Sequence, residues 1–186
     1  MYIWIGAVFP KEFEDRIRNI CKQVNQKYNV SELSFTLPQH ISLKLSFQST
    51  EYKKIIEYLE VYLQDYTTFY VKTKNIYKKD NSLIWLNIEK SNDLINLHNN
   101  LNKELQDKFD IGLNKYDGSN FKFHSTLFQD NDSKNINKLY KELLKYDFEN
   151  IIKINEIDIG ISEEGKVGTY EVTKRIKLKR WYMWII

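Results

Sequence analysis

Two of the three histidines stand at the start of predicted β-strands, and each is followed two residues later by a hydroxyl side chain. The two motifs are His40-Ile41-Ser42 and His124-Ser125-Thr126. Side chains at positions i and i+2 of a strand point to the same face, so each strand presents an imidazole and a hydroxyl side by side. Near neutral pH one imidazole can accept a proton while the other delivers one, as general acid–base catalysis requires. The alternative is a pair of strand-end histidines that only hydrogen-bond to the backbone.

Strand and helix patterns alternate along the chain and place both motifs on strands that follow helices. Apolar residues recur at helical spacing in some segments and alternate with polar residues in others. We predict helices at 10–28, 51–65, 92–109 and 134–147, and strands at 2–9, 40–47, 68–78, 82–89, 121–128, 152–161 and 169–178.

The two motifs lie in similar surroundings, which indicates an internal duplication. Each is preceded by a helix and, before that helix, by a strand with a tryptophan between aliphatic residues, Ile3-Trp4-Ile5 and Ile84-Trp85-Leu86. A β-α-β-α-β unit used twice would make the two motif strands pseudo-symmetric partners that face one cleft. We therefore expect a single bilobal domain over residues 1–186, with repeated halves at about 1–80 and 81–186.

The composition is that of an ordinary globular chain. Of the 186 residues, 42% are hydrophobic and 28% are charged, and the net charge of +3 is compatible with a phosphate-bearing partner. Cys21 is the single cysteine, so no disulfide can form within the chain. The chain has no basic leader followed by an apolar run and no apolar segment that could span a membrane, and we expect a cytoplasmic protein.

Other kinds of site find no support in the sequence. His98 lies on a predicted helix and has no hydroxyl two residues later, so we interpret it as a surface histidine. The chain lacks a His-x-x-x-His motif, a cysteine pair, and a carboxylate at ligand spacing from either motif. It also lacks the glycine-rich motifs of P-loop and dinucleotide-binding proteins. We therefore expect neither a metal nor a cofactor.

The two motifs, each followed by leucine, resemble those of the 2H phosphoesterase superfamily, which includes the LigT-like or 2′-5′ RNA ligase family of RNA 2′,3′-cyclic phosphodiesterases. An opening strand that ends in Phe9-Pro10 and is followed by a helix is similar to this family as well. The resemblance implies an α+β fold with two duplicated β-α-β-α-β lobes, in which mostly antiparallel sheets surround a central cleft and helices lie outside. Ser42 departs from the commoner threonine but keeps the hydroxyl.

The resemblance also implies the roles of the motif residues. His40 and His124 are expected to act as the acid and the base of a metal-independent phosphoesterase, with the assignment between them left open. The hydroxyls of Ser42 and Thr126 are expected to donate hydrogen bonds to the phosphoryl oxygens. These four residues are the predicted catalytic set.

Weaker candidates for substrate binding follow from the alternation of side chains along the strands. Lys44 should share the face of the first motif and reach the phosphate, and Phe128 should share the face of the second. Aromatic residues in the cleft can stack on a nucleobase, although a large aromatic on a strand more often packs in the core. These candidates are Tyr2, Trp4, Lys44, Trp85, Tyr116 and Phe128.

The expected partner is an RNA end or a nucleotide that carries a 2′,3′-cyclic phosphate or a 2′-5′ linkage. Two alternatives remain open, namely cleavage of a signalling oligonucleotide (a 2′-5′ oligoadenylate or a cyclic oligonucleotide) and a non-catalytic RNA- or nucleotide-binding module. A long basic groove would favour RNA, and a small closed pocket would favour a nucleotide. We expect a monomer that does not bind membranes.

Overall fold

The computed structural model describes residues 1–28 and 35–180. In this part of the chain, strands and helices alternate much as the sequence predicts. The elements are β1 (Tyr2–Val8), α1 (Lys11–Gln26), β2 (His40–Gln48), α2 (Tyr52–Gln64), β3 (Phe69–Lys79), β4 (Leu83–Ile88), α3 (Asn92–Phe109), a short 3-10 helix (Gly118–Asn120), β5 (His124–Gln129), α4 (Ser133–Leu143), β6 (Asn150–Ile154), β7 (Glu156–Ser162) and β8 (Glu171–Lys177).

The strands form two four-stranded antiparallel sheets, and in each sheet the motif strand pairs with the strand that carries a tryptophan. One sheet has the order β2-β1-β7-β8 and the other β5-β4-β3-β6, so that each motif strand lies at a sheet edge. The first sheet combines the two earliest strands with β7 and β8, whereas the second consists of the consecutive strands β3 to β6. The predicted two-lobed α+β fold is confirmed, whereas the boundary of the two halves near residue 80 stays a prediction.

The predicted single strand at 152–161 is wrong. The chain instead forms β6 and β7, which pair with β3 and β1 in different sheets. Asn155 separates them, and the buried positions shift from Ile152 and Ile154 to Ile157 and Ile159. That three-residue step breaks the two-residue period of a strand, and it marks the point where the chain passes between the lobes.

Apolar faces of the four helices pack against the sheets and form the core. Helix α1 buries one side chain per turn, and α2 does the same on a single face. Fully burying an aliphatic side chain contributes about 1.5–3 kcal/mol, so these faces hold the helices in place. The side chains of Ser91 and Asp132 cap the N-termini of α3 and α4. Among the described helices, none combines the length and the apolar character needed to cross a membrane.

Each motif strand contains one extra residue after its hydroxyl. Ser42 pairs with Gly6 but Lys44 pairs with Ile5, which leaves Leu43 as the extra residue in β2. In β5 the pairing changes between Thr126 and Phe128 in the same way, at a position equivalent to that in β2. A bulge of one residue reverses the faces to which the next side chains point, and in β2 a second register shift follows between the pairs Lys44–Ile5 and Phe47–Ile3.

The bulges overturn the predicted positions of Lys44 and Phe128. Both side chains are buried instead of facing the cleft with the motifs. Phe128 packs edge-on against Phe35, with ring centroids 5.5 Å apart. Leu45 and Gln129, which follow the bulges, take the places on the motif side.

Lys44 forms a buried ion pair on the far side of its strand. Its Nζ lies 2.6 Å from Oδ2 of Asp117 and donates to the carbonyl of Gly112 at 3.0 Å. The Asp117 carboxylate also accepts a hydrogen bond from the backbone of Asn114. The ammonium therefore fixes the loop that precedes the second motif, and the prediction that it reaches the phosphate is wrong.

The interpretation of His98 as a surface histidine is also wrong. His98 is buried because it lies one helical turn after Leu94, within the apolar stripe of α3. Its Nδ1 donates to the carbonyl of Leu43 at 2.8 Å, and its Nε2 accepts from the backbone N–H of Gly118 at 3.0 Å. These two bonds require the neutral ring, and burial correspondingly lowers its pKa.

Replacing Lys44 tests the buried ion pair. Lys44→Met leaves the Asp117 carboxylate buried without a cation, and we expect the free energy of unfolding to fall by about 3–5 kcal/mol in urea denaturation. Adding Asp117→Asn should restore part of the loss because no lone charge remains. The exposed Lys22→Met should stay within about 0.5 kcal/mol of the parent. A Lys44→Met protein as stable as the parent would contradict the pairing.

Candidate active site

A pocket of about 220 Å³ lies between the lobes and brings the two motif strands together. We call it the motif pocket. Strand β2 contributes His40 and Ser42, and β5 contributes Thr126 and Gln129. Trp4 and residues 36–39 also line the pocket, and the loop between β7 and β8 adds a further wall with Val167, Gly168 and Tyr170.

Both histidine rings are held in the same way. Nδ1 of His40 lies 2.7 Å from the carbonyl oxygen of Pro38, and Nδ1 of His124 lies 2.7 Å from that of Lys122. A carbonyl can only accept, so each Nδ1 carries the hydrogen and each Nε2 remains for a substrate. Hydrogen bonding to the backbone is the alternative role considered for strand-end histidines. Here that bond occupies only Nδ1 of each ring, and it orients Nε2.

A tryptophan from the neighbouring strand contacts each histidine. Trp4 meets His40 edge-on, with ring centroids 4.3 Å apart, and Trp85 stacks on His124 with centroids 3.8 Å apart. Trp4 is buried, whereas Trp85 is half-buried. The aromatic rings expected to bind a nucleobase therefore pack directly against the histidines.

Two glycines make room for the Trp4 ring. A Cβ atom on Gly6 would lie 2.3 Å from Cζ2 of Trp4, and one on Gly160 would lie 3.0 Å from Cε3. Both distances are too short for unstrained contact. The small residues on both sides of Trp4 thus allow its ring to lie flat on the sheet beneath His40.

The surroundings of both histidines favour the neutral rings. Burial lowers the pKa of His40 to about 4, assisted by the charge of His124 and opposed by the hydrogen bond to Pro38. Burial also lowers the pKa of His124, and the carbonyl of Lys122 opposes the shift. The second motif thus acts electrostatically on the histidine of the first.

The remaining sequence candidates lie away from the motif pocket. The ring of Tyr2 is half-buried and fills the space above Gly165, where a Cβ would lie 2.6 Å from its Cγ. Tyr116 is exposed and lies under the ammonium of Lys115. Neither tyrosine lines the pocket, and its lining does not include Trp85 or His124, although Thr126 of the second motif belongs to it.

Sequence analysis missed several pocket residues. Tyr170 and Val167 come from a loop whose glycines, Gly165 and Gly168, have positive φ angles of 68° and 89°. The hydroxyl of Tyr170 bonds to Ser46. The glycines signal the turn, but only the pairing of β8 with β7 shows that this turn folds over the motif strand.

The motif pocket has an uncharged lining apart from its histidine. None of the described residues that line it is a lysine, arginine, aspartate or glutamate. Arg175 is a nearby cation, but its guanidinium makes two 2.8 Å bonds to the buried carboxylate of Asp158. Within the described ranges, no three histidine, cysteine, aspartate or glutamate side chains cluster as a metal site would require.

The family model for the 2′-5′ RNA ligase superfamily matches residues 9–166. The chain therefore belongs to this superfamily, as the two motifs indicate, and a phosphoesterase-type function is supported. No curated protein sequence is significantly similar to the chain.

Solved structures share the fold at low sequence identity. TT0787 of Thermus thermophilus is 14% identical, with a TM-score of 0.66 over 98% of this chain and 100% of that chain. LigT of E. coli in the apo form is 17% identical, with a TM-score of 0.59 over 95% of this chain and 96% of that chain. LigT complexed with 3′-AMP is 16% identical, with a TM-score of 0.63 over 95% and 97% of the two chains.

Replacing Gly6 tests the support beneath His40. Gly6→Ala forces the Trp4 ring out of place, and we expect about 1–3 kcal/mol lower stability from overpacking. The imidazole resonances of His40 should shift in NMR spectra as the Trp4 ring current moves. Gly112→Ala is the matched control because a Cβ there meets no atom within 4 Å. Identical stability and spectra for both variants would contradict the packing of Trp4.

Proposed function

We propose that this protein is a metal-independent phosphodiesterase that acts on a 2′,3′-cyclic phosphate or a 2′-5′ linkage in RNA or a nucleotide. His40 and His124 serve as its acid–base pair. One observation carries the proposal: both rings are anchored through Nδ1 to a carbonyl two residues earlier, which leaves both Nε2 atoms for chemistry beside Ser42 and Thr126.

The reaction needs two proton transfers, and the two rings can provide them. The neutral Nε2 of one histidine takes a proton from the attacking water or ribose hydroxyl as the new P–O bond forms. The protonated Nε2 of the other delivers a proton to the ribose oxygen as the old P–O bond breaks. The hydroxyls of Ser42 and Thr126 donate to the non-bridging oxygens, where negative charge must be stabilised. In the reverse direction the two histidines exchange roles.

The uncharged lining supports a substrate with a single negative charge. A cyclic phosphodiester carries one charge at neutral pH, whereas the monoester produced by hydrolysis carries nearly two. Hydroxyl donors and one protonated histidine suit the former, because no fixed cation lines the described pocket to neutralise a second charge. A product with nearly two negative charges finds no fixed cation among the described lining residues, which favours its release.

The dimensions of the pocket favour a nucleotide-sized group at the reacting phosphate. At about 220 Å³ the pocket is smaller than most small-ligand pockets, and it suits the reacting phosphate with part of one nucleotide rather than a long strand. Structures of the similar E. coli LigT include complexes with 3′-AMP and with phosphate, which supports a nucleotide as the bound group. The same volume is compatible with the terminal unit of a 2′-5′ oligoadenylate, so that substrate is the second candidate.

The proposed chemistry can be tested with nucleoside 2′,3′-cyclic phosphates after treatment with EDTA. Activity should survive chelation, and His40→Ala and His124→Ala should each lower kcat by about 100- to 10,000-fold. Ser42→Ala should lower kcat by roughly 100-fold, while Ser42→Thr, which keeps the hydroxyl, should remain active. Circular dichroism checks that each variant is folded.

Two other results would redirect the proposal. Turnover that persists in either histidine variant would remove the acid–base assignment. A protein that turns over neither the cyclic phosphates nor 2′-5′ oligoadenylates, but binds them in a titration, would be a non-catalytic binding module.

The lowered histidine pKa values determine the expected pH dependence. The base must be neutral and the acid protonated, and both pKa values lie below the ordinary 6.5 of histidine. The bell-shaped profile of kcat/KM, which reports the free enzyme, should therefore peak below pH 6.5. A bound phosphate anion stabilises both imidazolium forms, so the profile of kcat should lie at higher pH. A kcat/KM optimum above pH 7 would contradict these environments.

A further inference from the structure

The side chain of Gln39 connects the two motif strands. We infer that Gln39 is a positioning residue that sets the separation of the two motif strands and hence of His40 and His124. This inference rests on the proposed function and adds a residue to it that touches neither reacting atom.

Gln39 bonds to both residues that follow His124. Its Oε1 accepts from the hydroxyl of Ser125 at 2.8 Å, and its Nε2 donates to the carbonyl of Thr126 at 3.3 Å. Gln39 immediately precedes His40, so one side chain joins the neighbours of both histidines. Gln39 and Ser125 are 3% and 1% exposed, and water therefore competes little for these bonds.

The orientation of the Gln39 amide is determined by its partners. The carbonyl of Thr126 can only accept, so the NH2 group must face it and Oε1 must face Ser125. A glutamate at this position could not donate to the carbonyl, and an asparagine is one methylene shorter. Glutamine thus fits both the length and the donor–acceptor pattern of this gap.

The backbone of Gln39 is anchored within the first lobe. Its carbonyl accepts from the N–H of Phe9 at 3.0 Å, and its own N–H donates to Glu14 of α1 at 3.4 Å. Glu14 in turn pairs with Arg18 at 2.6 Å. The side chain therefore extends from a fixed point in one lobe to the motif strand of the other, and its length controls the gap.

A change in this gap should be visible in the titration of His40. Three charged groups influence that ring, namely His124 from β5, Asp158 from β7 and Glu14 from α1. Both carboxylates are held by arginines within the first lobe, Asp158 by Arg175 and Glu14 by Arg18, so they should stay in place when the lobes separate. Of the factors that act on the pKa of His40, only the charge of His124 and the exclusion of water depend on the gap between the lobes. Both lower the pKa of His40.

The test uses Gln39→Leu, Ser125→Ala and the double variant. We expect Gln39→Leu to lower kcat by about 10- to 100-fold with little change in KM, because displacement of a catalytic group by about 1 Å has effects of this size. The limb of the kcat/KM profile that reports His40, which is the acidic limb if His40 is the base, should move to higher pH as the pKa of His40 rises. The double variant should lose little more than Gln39→Leu, since both changes break one connection. The exposed Gln48→Leu, at the far end of β2, is the matched control and should behave as the parent.

NMR titration of the histidines in the absence of substrate separates this inference from the proposed function. A raised pKa of His40 in Gln39→Leu, with His98 unaffected, supports the positioning role even if the protein turns over no cyclic phosphate. An unchanged pKa of His40 and unchanged limbs of the kcat/KM profile would overturn it, as would a loss of activity that only follows the loss of folded protein.

Discussion

The site depends on one hydrogen bond that occurs twice, from Nδ1 of each histidine to the carbonyl two residues earlier. This bond requires a carbonyl that the sheet does not use. The carbonyls of Gln39 and Phe123, one residue later, accept from Phe9 and Ile88 on neighbouring strands. Pro38 and Lys122 lie just outside the strands, so their carbonyls are available. Because β2 and β5 are edge strands and successive carbonyls of a strand point to opposite edges, the carbonyls of Pro38 and Lys122 point to the open edge of each sheet, where Nδ1 can reach them.

The equivalent bulges at Leu43 and Leu127 complete this arrangement from the other end of each motif. They interrupt the alternation of faces after the hydroxyl. The side chain two residues after each hydroxyl therefore enters the core instead of the cleft. In one lobe that side chain is Phe128, an ordinary core residue. In the other it is Lys44, whose buried charge holds Asp117 and hence the loop before the second motif. The same backbone device thus supports packing in one lobe and a connection between the lobes in the other.

These two features explain what the sequence can and cannot predict. The motifs, the element order and the two-lobed class follow from local patterns, and the structure confirms the class and the element order up to the strand predicted at 152–161, which is two strands. The segment from His40 to Phe47 alternates without interruption, so nothing local reveals that Leu43 is an extra residue. The bulge is determined by pairing with β1, where Gly6 and Trp4 adjoin the motif. His98 and Gln39 are missed for a similar reason, because their partners lie on distant elements.

The uncharged motif pocket links substrate binding to proton transfer in the proposed reaction. Arg175 is neutralised by Asp158 and Lys44 by Asp117, so neither cation is available to a phosphate. The positive charge that the pocket offers must then come from a protonated histidine. The proton that attracts the anion is the same proton that is later delivered to the leaving oxygen. Since transfer of that proton removes the attraction as the product gains negative charge, binding weakens at the moment when release becomes useful.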